Sequence, residues 1–236
     1  MTISYSLNES KQFKHRSRRL EQDLLLMGAL VEQSFRLAHR SLFQREIGIA
    51  QQIPRIDRKI DDFYHQIEIE CAELMTIASP VAQDLRRLSA FMQMVRDLER
   101  IGDYAKDIAE ISLKLLPYPE HPCIPAIEQM SHHARAMLES SLAALTSLDR
   151  TAGPTVHKLD DEVDRAYDEI YHALASQTHI QGSIEPTILL ALTIRHLERM
   201  ADHATNIAYR VTFIVTGSRK SELAKQFTDS QSHPIN

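Results

Sequence analysis

Between residues 13 and 43 the apolar positions Leu20, Leu24, Met27, Val31, Phe35, Ala38 and Leu42 recur at steps of three and four. That rhythm holds one apolar stripe on a helix of about 3.6 residues per turn. A second stripe, Ile53, Ile56, Ile60, Phe63, Ile67 and Leu74, predicts a helix over 47–78. Pro54 either kinks it or marks its true start. Ser79-Pro80 then reads as a stop and a new start, serine capping and proline in the first turn, for a third helix to Leu116. From Pro117 to Pro125 four prolines fall in nine residues, so 118–125 is expected to be a linker. The plan then repeats: a helix over 124–148, a break at 149–154, a helix over 155–176, a loop over 177–183, and a helix over 184–216 capped by Ser183 and ended by Gly217. Residues 1–10 and the tail 218–236 are polar and expected to be loose. The expected fold is all-α: two tandem three-helix bundles, 12–117 and 124–217, six long helices related by an internal repeat.

The repeat is visible residue by residue. Val95–Ala109 (VRDLERIGDYAKDIA) returns as Ile194–Ala208 (IRHLERMADHATNIA), with eight identities in fifteen at a fixed offset of 99. Helices two and five match as well: Asp57, Asp61, Tyr64 and Ile67 face Asp160, Asp164, Tyr167 and Ile170 at offset 103. Each half therefore carries an Asp-x-x-x-Asp on its second helix and a Glu-x-x-x-Asp on its third: Asp57, Asp61, Glu99 and Asp103, then Asp160, Asp164, Glu198 and Asp202. A step of four keeps both carboxylates of a pair on one helix face. In an antiparallel hairpin, residues equidistant from the turn stand at one height. Both pairs of a repeat sit about twenty residues, or roughly 30 Å, from their turn, so four carboxylates can converge in each bundle.

Like charges at this spacing cost a helix roughly 0.2–0.5 kcal/mol per pair. Gathering two pairs costs more unless cations neutralise them. Two answers stand side by side. The neighbouring Arg96, Arg100, Arg195 and Arg199 can form ordinary ion pairs, or bind phosphate. Alternatively the clusters hold metal ions, which the duplication of all four pairs favours. Asp107 and Asn206 extend the two third-helix stripes by one turn, and Asp168 can extend the other. An all-oxygen set suits iron(III), manganese, magnesium or calcium rather than structural zinc. His196 and His203 are expected on polar faces, outside the ligand set. Gly102 and Ala201 precede the key aspartates and suit close helix packing. Tyr64 and Tyr167 are read as core aromatics.

Composition narrows the function classes. A net charge of −5 excludes the broad basic surface of nucleic-acid binding. The short cluster Lys11, Lys14, Arg16, Arg18 and Arg19 is expected to be a solvated helix start. Two cysteines, Cys71 and Cys123, give neither a disulfide framework nor metal spacing, which fits a reducing, cytoplasmic setting. No apolar run approaches the roughly 20 residues that span a bilayer.

Taken together, LERIGD (Leu98–Asp103), LERMADHATNIA (Leu197–Ala208), IDRKID (56–61), LDDEVD (159–164), SPVAQDLR (79–86) and MGALVEQ (27–33) resemble the PhoU family of phosphate-uptake regulators. The resemblance spans about 12–217. It departs from the family pattern at Ala201, where glycine is usual, and at Asp107, where asparagine is common. It implies two three-helix bundles related by a pseudo-twofold axis, with metal clusters on Asp57, Asp61, Glu99 and Asp103 and on Asp160, Asp164, Glu198 and Asp202. It implies no catalysis. The implied role is that of an adaptor between the phosphate ABC transporter, at its ATPase subunit, and a sensor histidine kinase, damping the starvation response when phosphate is plentiful. Homodimers are common in the family.

Three rivals remain at this stage. A di-iron carboxylate enzyme needs two Glu-x-x-His motifs facing one core. Only Glu169–His172 is present, with Gln66 and Ile69 at the matching places. A phosphotransfer bundle would use His157 or His196, neither in a repeated context. A metal-free helical interaction module is the stronger alternative.

Overall fold

The computed structural model describes residues 2–77, 82–177 and 182–218. All the regular structure among them is helical: α1 (Thr2–Phe43), α2 (Ile47–Ala50), α3 (Ile53–Ile77), α4 (Ala82–Leu115), α5 (Ile124–Ser147), α6 (Ala152–Ala175) and α7 (Glu185–Thr216). α1, α3 and α4 pack on one another as a first three-helix bundle, and α5, α6 and α7 as a second. α4 packs on α7 and α1 on α5, so each joining helix meets its own counterpart from the other repeat. Buried apolar residues from all six long helices form one continuous cluster across both bundles. No helix among the described residues is long and apolar enough to cross a membrane.

Local chemistry explains where the helices differ from expectation. α1 starts at Thr2, not near residue 13, so residues 2–10 are helical rather than loose. The second predicted helix is two elements, the single turn α2 and then α3. Pro54 lies at the second position of α3, where its missing N–H costs nothing. The break before α6 is shorter than expected. Asp149 forms a turn, its carboxylate accepting from the Thr151 N–H at 2.8 Å, and helix resumes at Ala152. Gly153 and Pro154 thus sit within the first turn, the Gly153 N–H donating instead to Thr212 Oγ1 at 3.0 Å. Pro125 likewise belongs to α5 rather than the linker.

Other terminators are where the sequence puts them. Gly217 ends α7 at φ 78°, its N–H bonded to Phe213 O at 2.9 Å, a left-handed conformation that favours glycine. Ser183 Oγ accepts the Glu185 N–H at 3.1 Å. The Ser79-Pro80 cap, and the tail from residue 219 onward, lie outside the described residues. In the basic cluster, Arg16 is not simply solvated: it bridges to Glu70 at 3.1 Å and Glu73 at 2.7 Å on α3.

Candidate metal centres

In the first repeat α3 and α4 lie close enough for Asp57 and Asp103 to share one cation. Lys106 Nζ donates to Asp57 Oδ2 at 2.7 Å and Asp103 Oδ1 at 3.1 Å. Their close approach is set beneath the acids. Gly102 is buried, and a Cβ there would stand 3.1 Å from the Ile60 side chain. Asp61 and Glu99 complete the group electrostatically. Burial, then the charge of Asp57, raises the Asp61 carboxyl above its ordinary range, with Lys106 partly offsetting. Burial, then Asp103, raises Glu99. Arg100 flanks the face, 3.6 Å from Glu99 and 3.9 Å from Asp103.

The second repeat gathers its four carboxylates in the same way. Asp160 is raised by burial and then by Asp164 and Asp202. Asp164 is raised by burial and then by Asp202, and Glu198 by burial and then by Asp202. Arg195 bonds Glu198 at 2.8 Å, and Arg199 stands 3.5 Å from Asp202. The two faces differ most in charge at one position. The offset of 99 puts Thr205 where the first repeat has Lys106, and Thr205 is buried. The first face has a tethered ammonium between its acids; at the matching place the second repeat has a buried threonine, and His157 Nδ1 stands 3.6 Å from Asp160.

The two predicted extensions behave differently from the core set. Asp107 lies toward α7, 4.0 Å from His196 Nε2. Asn206 takes the matching place on α7 and is half-buried. Asp168 is exposed but still raises Asp164. Glu169 and His172 are both exposed, so this Glu-x-x-His does not face a bundle core. Tyr64 Oη donates to Glu68 at 3.4 Å, and Tyr167 stacks on Tyr171.

His196 and His203 turn out to be part of the joint between the repeats. His203 Nδ1 lies 2.8 Å from Asp97 Oδ1, and Arg210 Nε 3.5 Å from Asp97 Oδ2. The His196 ring packs on Tyr104 at 5.3 Å. Asp97 and His196 are equivalent positions in the repeat, as are Tyr104 and His203. Each therefore meets the other's counterpart, as a twofold relation between α4 and α7 requires.

A group that sequence reasoning did not single out lies between α1 and α5. Among the described residues, His39, Glu128 and His132 are the one set of three His, Cys, Asp or Glu side chains whose ligand atoms all lie within 4.8 Å of one another. Burial, then His132 and Arg135, lowers the His39 imidazole to about 4. The step of four between Glu128 and His132 was legible; their juxtaposition with His39 needed the fold. The two acidic faces are more open than this. An ion on either would draw carboxylates inward or bind partly through water.

Comparison with known proteins agrees with this architecture. The family model described as the PhoU domain matches residues 24–112 and 127–211, one segment in each bundle. A "Phosphate-specific transport system accessory protein PhoU homolog" from Synechocystis is 54% identical over 221 residues, 93% of this chain and 99% of that protein. A homologue of the same name from Deinococcus radiodurans is 31% identical, over 85% of this chain and 98% of its own length. The crystal structure of PhoU from Pseudomonas aeruginosa superposes with a TM-score of 0.84 at 30% identity, covering 87% of this chain and all of that one. With both bundles matched by the same domain model and near full-length relatives on either side, this chain belongs to the PhoU family.

Proposed function

We propose that the protein regulates phosphate uptake and the phosphate-starvation response as a non-catalytic, metal-binding adaptor. Its partners would be the ATPase subunit of the phosphate ABC transporter and a sensor histidine kinase, with negative regulation when phosphate is plentiful. Relatives named as phosphate-transport accessory proteins support the transport half of this reading. The observation that carries the metal half is the convergence of four carboxylates in both repeats, where burial and neighbouring carboxylates raise Asp61 and Glu99 on one face and Asp160, Asp164 and Glu198 on the other. Such groups are costly to ionise together and gain most from a hard cation. Asp57, Asp61, Glu99 and Asp103 would hold iron, manganese or magnesium on one face; Asp160, Asp164, Glu198 and Asp202 on the other. Asp107 and Asn206 would contribute from the next turn. The ions would neutralise much of the negative charge on two acidic surfaces, and so change the partners that can dock. On this reading the protein is cytoplasmic, reaches the membrane only through its partners, and forms a homodimer.

The tethered Lys106 favours a second reading for the first face: a metal-free interaction surface whose charge is balanced internally. One experiment separates the two. Purified protein is supplied with iron, manganese and magnesium, analysed for metal, and tested for binding to the transporter ATPase with and without Glu99→Gln and Glu198→Gln. The adaptor reading expects bound metal and weakened docking in the double variant. Protein that stays metal-free and docks equally well would refute it.

A further inference from the structure

We propose that His39, Glu128 and His132 form a binding site for a borderline divalent transition-metal ion, zinc being the representative case, that bridges α1 and α5 where the two repeats meet. It is separate from the acidic faces in place and in chemistry. Two imidazoles and one carboxylate are a softer donor set than carboxylates alone, and they select zinc over magnesium or calcium.

The geometry is largely built. His39 is buried, with its ring between those of Phe43 and His132 at 4.7 and 4.6 Å. Its Nδ1 stands 2.9 Å from the buried Ser131 Oγ. With Nδ1–H donating to that oxygen, Nε2 carries the lone pair and faces Glu128 Oε1 at 3.9 Å. That distance is too long for a hydrogen bond. It is close to the roughly 3.3–3.4 Å that separates two ligands of a tetrahedral ion with bonds of about 2.0–2.1 Å. Glu128 and His132 lie one turn apart on α5, the spacing at which a helix presents two ligands to one ion. Ser131 fixes the ring as the outer hydrogen-bond partner of a metal-ligating histidine does. His132 is exposed, which leaves a path for the ion and a fourth position for water. Arg135, whose charge acts on His39, is paired with Glu139 at 3.0 Å. Along this joint the two helices run antiparallel and close, with Gly28 of α1 against Leu142 of α5.

Cobalt(II) is a suitable probe, because four-coordinate cobalt with nitrogen ligands absorbs visibly and zinc displaces it. The full chain is used with its acidic faces silenced by Glu99→Gln, Asp103→Asn, Glu198→Gln and Asp202→Asn. We expect one equivalent of cobalt to give the visible bands and one equivalent of zinc to abolish them. Both His132→Ala, an exposed position, and Glu128→Gln should remove the bands while the helical circular dichroism stays the same. Ser131→Ala should weaken binding by roughly 10- to 100-fold without removing it. Absence of the bands in folded protein, or bands that survive both His132→Ala and Glu128→Gln, would overturn the proposal.

Discussion

Lys106→Met is the substitution most diagnostic of how the first acidic face balances its charge. Lys106 Nζ lies 2.7 Å from Asp57 and 3.1 Å from Asp103, and Asp57 is only 8% exposed. Burial by itself would lower the ammonium pKa, yet the hydrogen bonds and charges of the two aspartates raise it overall. A hydrogen bond to a charged partner contributes roughly 1.5–3 kcal/mol when well shielded. The lysine side chain is 30% exposed, so solvent screening discounts the pair to about 1–3 kcal/mol in total. For a chain of this size that lowers Tm by roughly 3–10 °C. With excess manganese the order should change. A divalent ion can take the ammonium's place only by displacing it, and methionine removes that competitor. With the second face silenced by Glu198→Gln and Asp202→Asn, Lys106→Met is expected to bind manganese about tenfold more tightly or better, equivalent to about 1.4 kcal/mol. Its Tm deficit should shrink as metal is added. Calorimetric unfolding and titration calorimetry measure both quantities. A variant that melts like the parent without metal, and binds manganese no better, would refute the reasoning.

Further expectations rest on the same geometry. Asp61, Glu99, Asp160, Asp164 and Glu198 all have raised folded-state pKa values, so their contribution to stability is full below the ordinary carboxylate pKa of about 4 and is lost as pH rises through the raised values. The amide variant of all five should therefore exceed the metal-free parent in stability at pH 7, by a margin that vanishes toward pH ~4 in denaturant titrations. Metal affinity should fall over the same window, because protons compete for the ligands. Asp97→Ala leaves His203 and Arg210 without their shared carboxylate at the α4–α7 joint, and should cost about 1–3 kcal/mol in urea unfolding. Two glycine-to-alanine changes should diverge in thermal melts. At Gly153 the new Cβ would meet the Tyr209 ring at 2.6 and 3.0 Å, costing about 1–3 kcal/mol. At Gly28 it meets only the flexible Leu142 side-chain end at 2.5 Å, and the helix-propensity gain of up to about 1 kcal/mol brings the net near zero.

Much of the fold was legible because its signals are local. The three-four rhythm of Leu20 to Leu42 and of Ile53 to Leu74 names the buried faces: all of these residues are buried in the core except Phe63, which is half-buried against it. Gly217 and the prolines of 117–125 mark helix ends through backbone restrictions that act within a few residues. Two further expectations failed where a polar partner lay far along the chain. Gly153 and Pro154 look like a break, but Thr212 on α7 accepts the Gly153 N–H and allows helix to begin there. Arg16 looks solvated until α3 brings Glu70 and Glu73 beside it.

The sequence by itself determined the helices, their duplication, and the grouping of carboxylates two by two on helix faces. All three follow from periodicity and from comparing the chain with itself. Only the tertiary structure decided which charge meets which. It placed Lys106 between Asp57 and Asp103 while leaving Thr205 at the matching position of the second repeat. It set Asp97 against His203 and not against a residue of its own bundle. It brought His39 across to Glu128 and His132, about ninety residues further along the chain. The physical reason is range. A helix specifies neighbours three and four residues away, whereas electrostatic and ligand chemistry depends on distances of a few ångströms between helices, which only the packing of the core fixes.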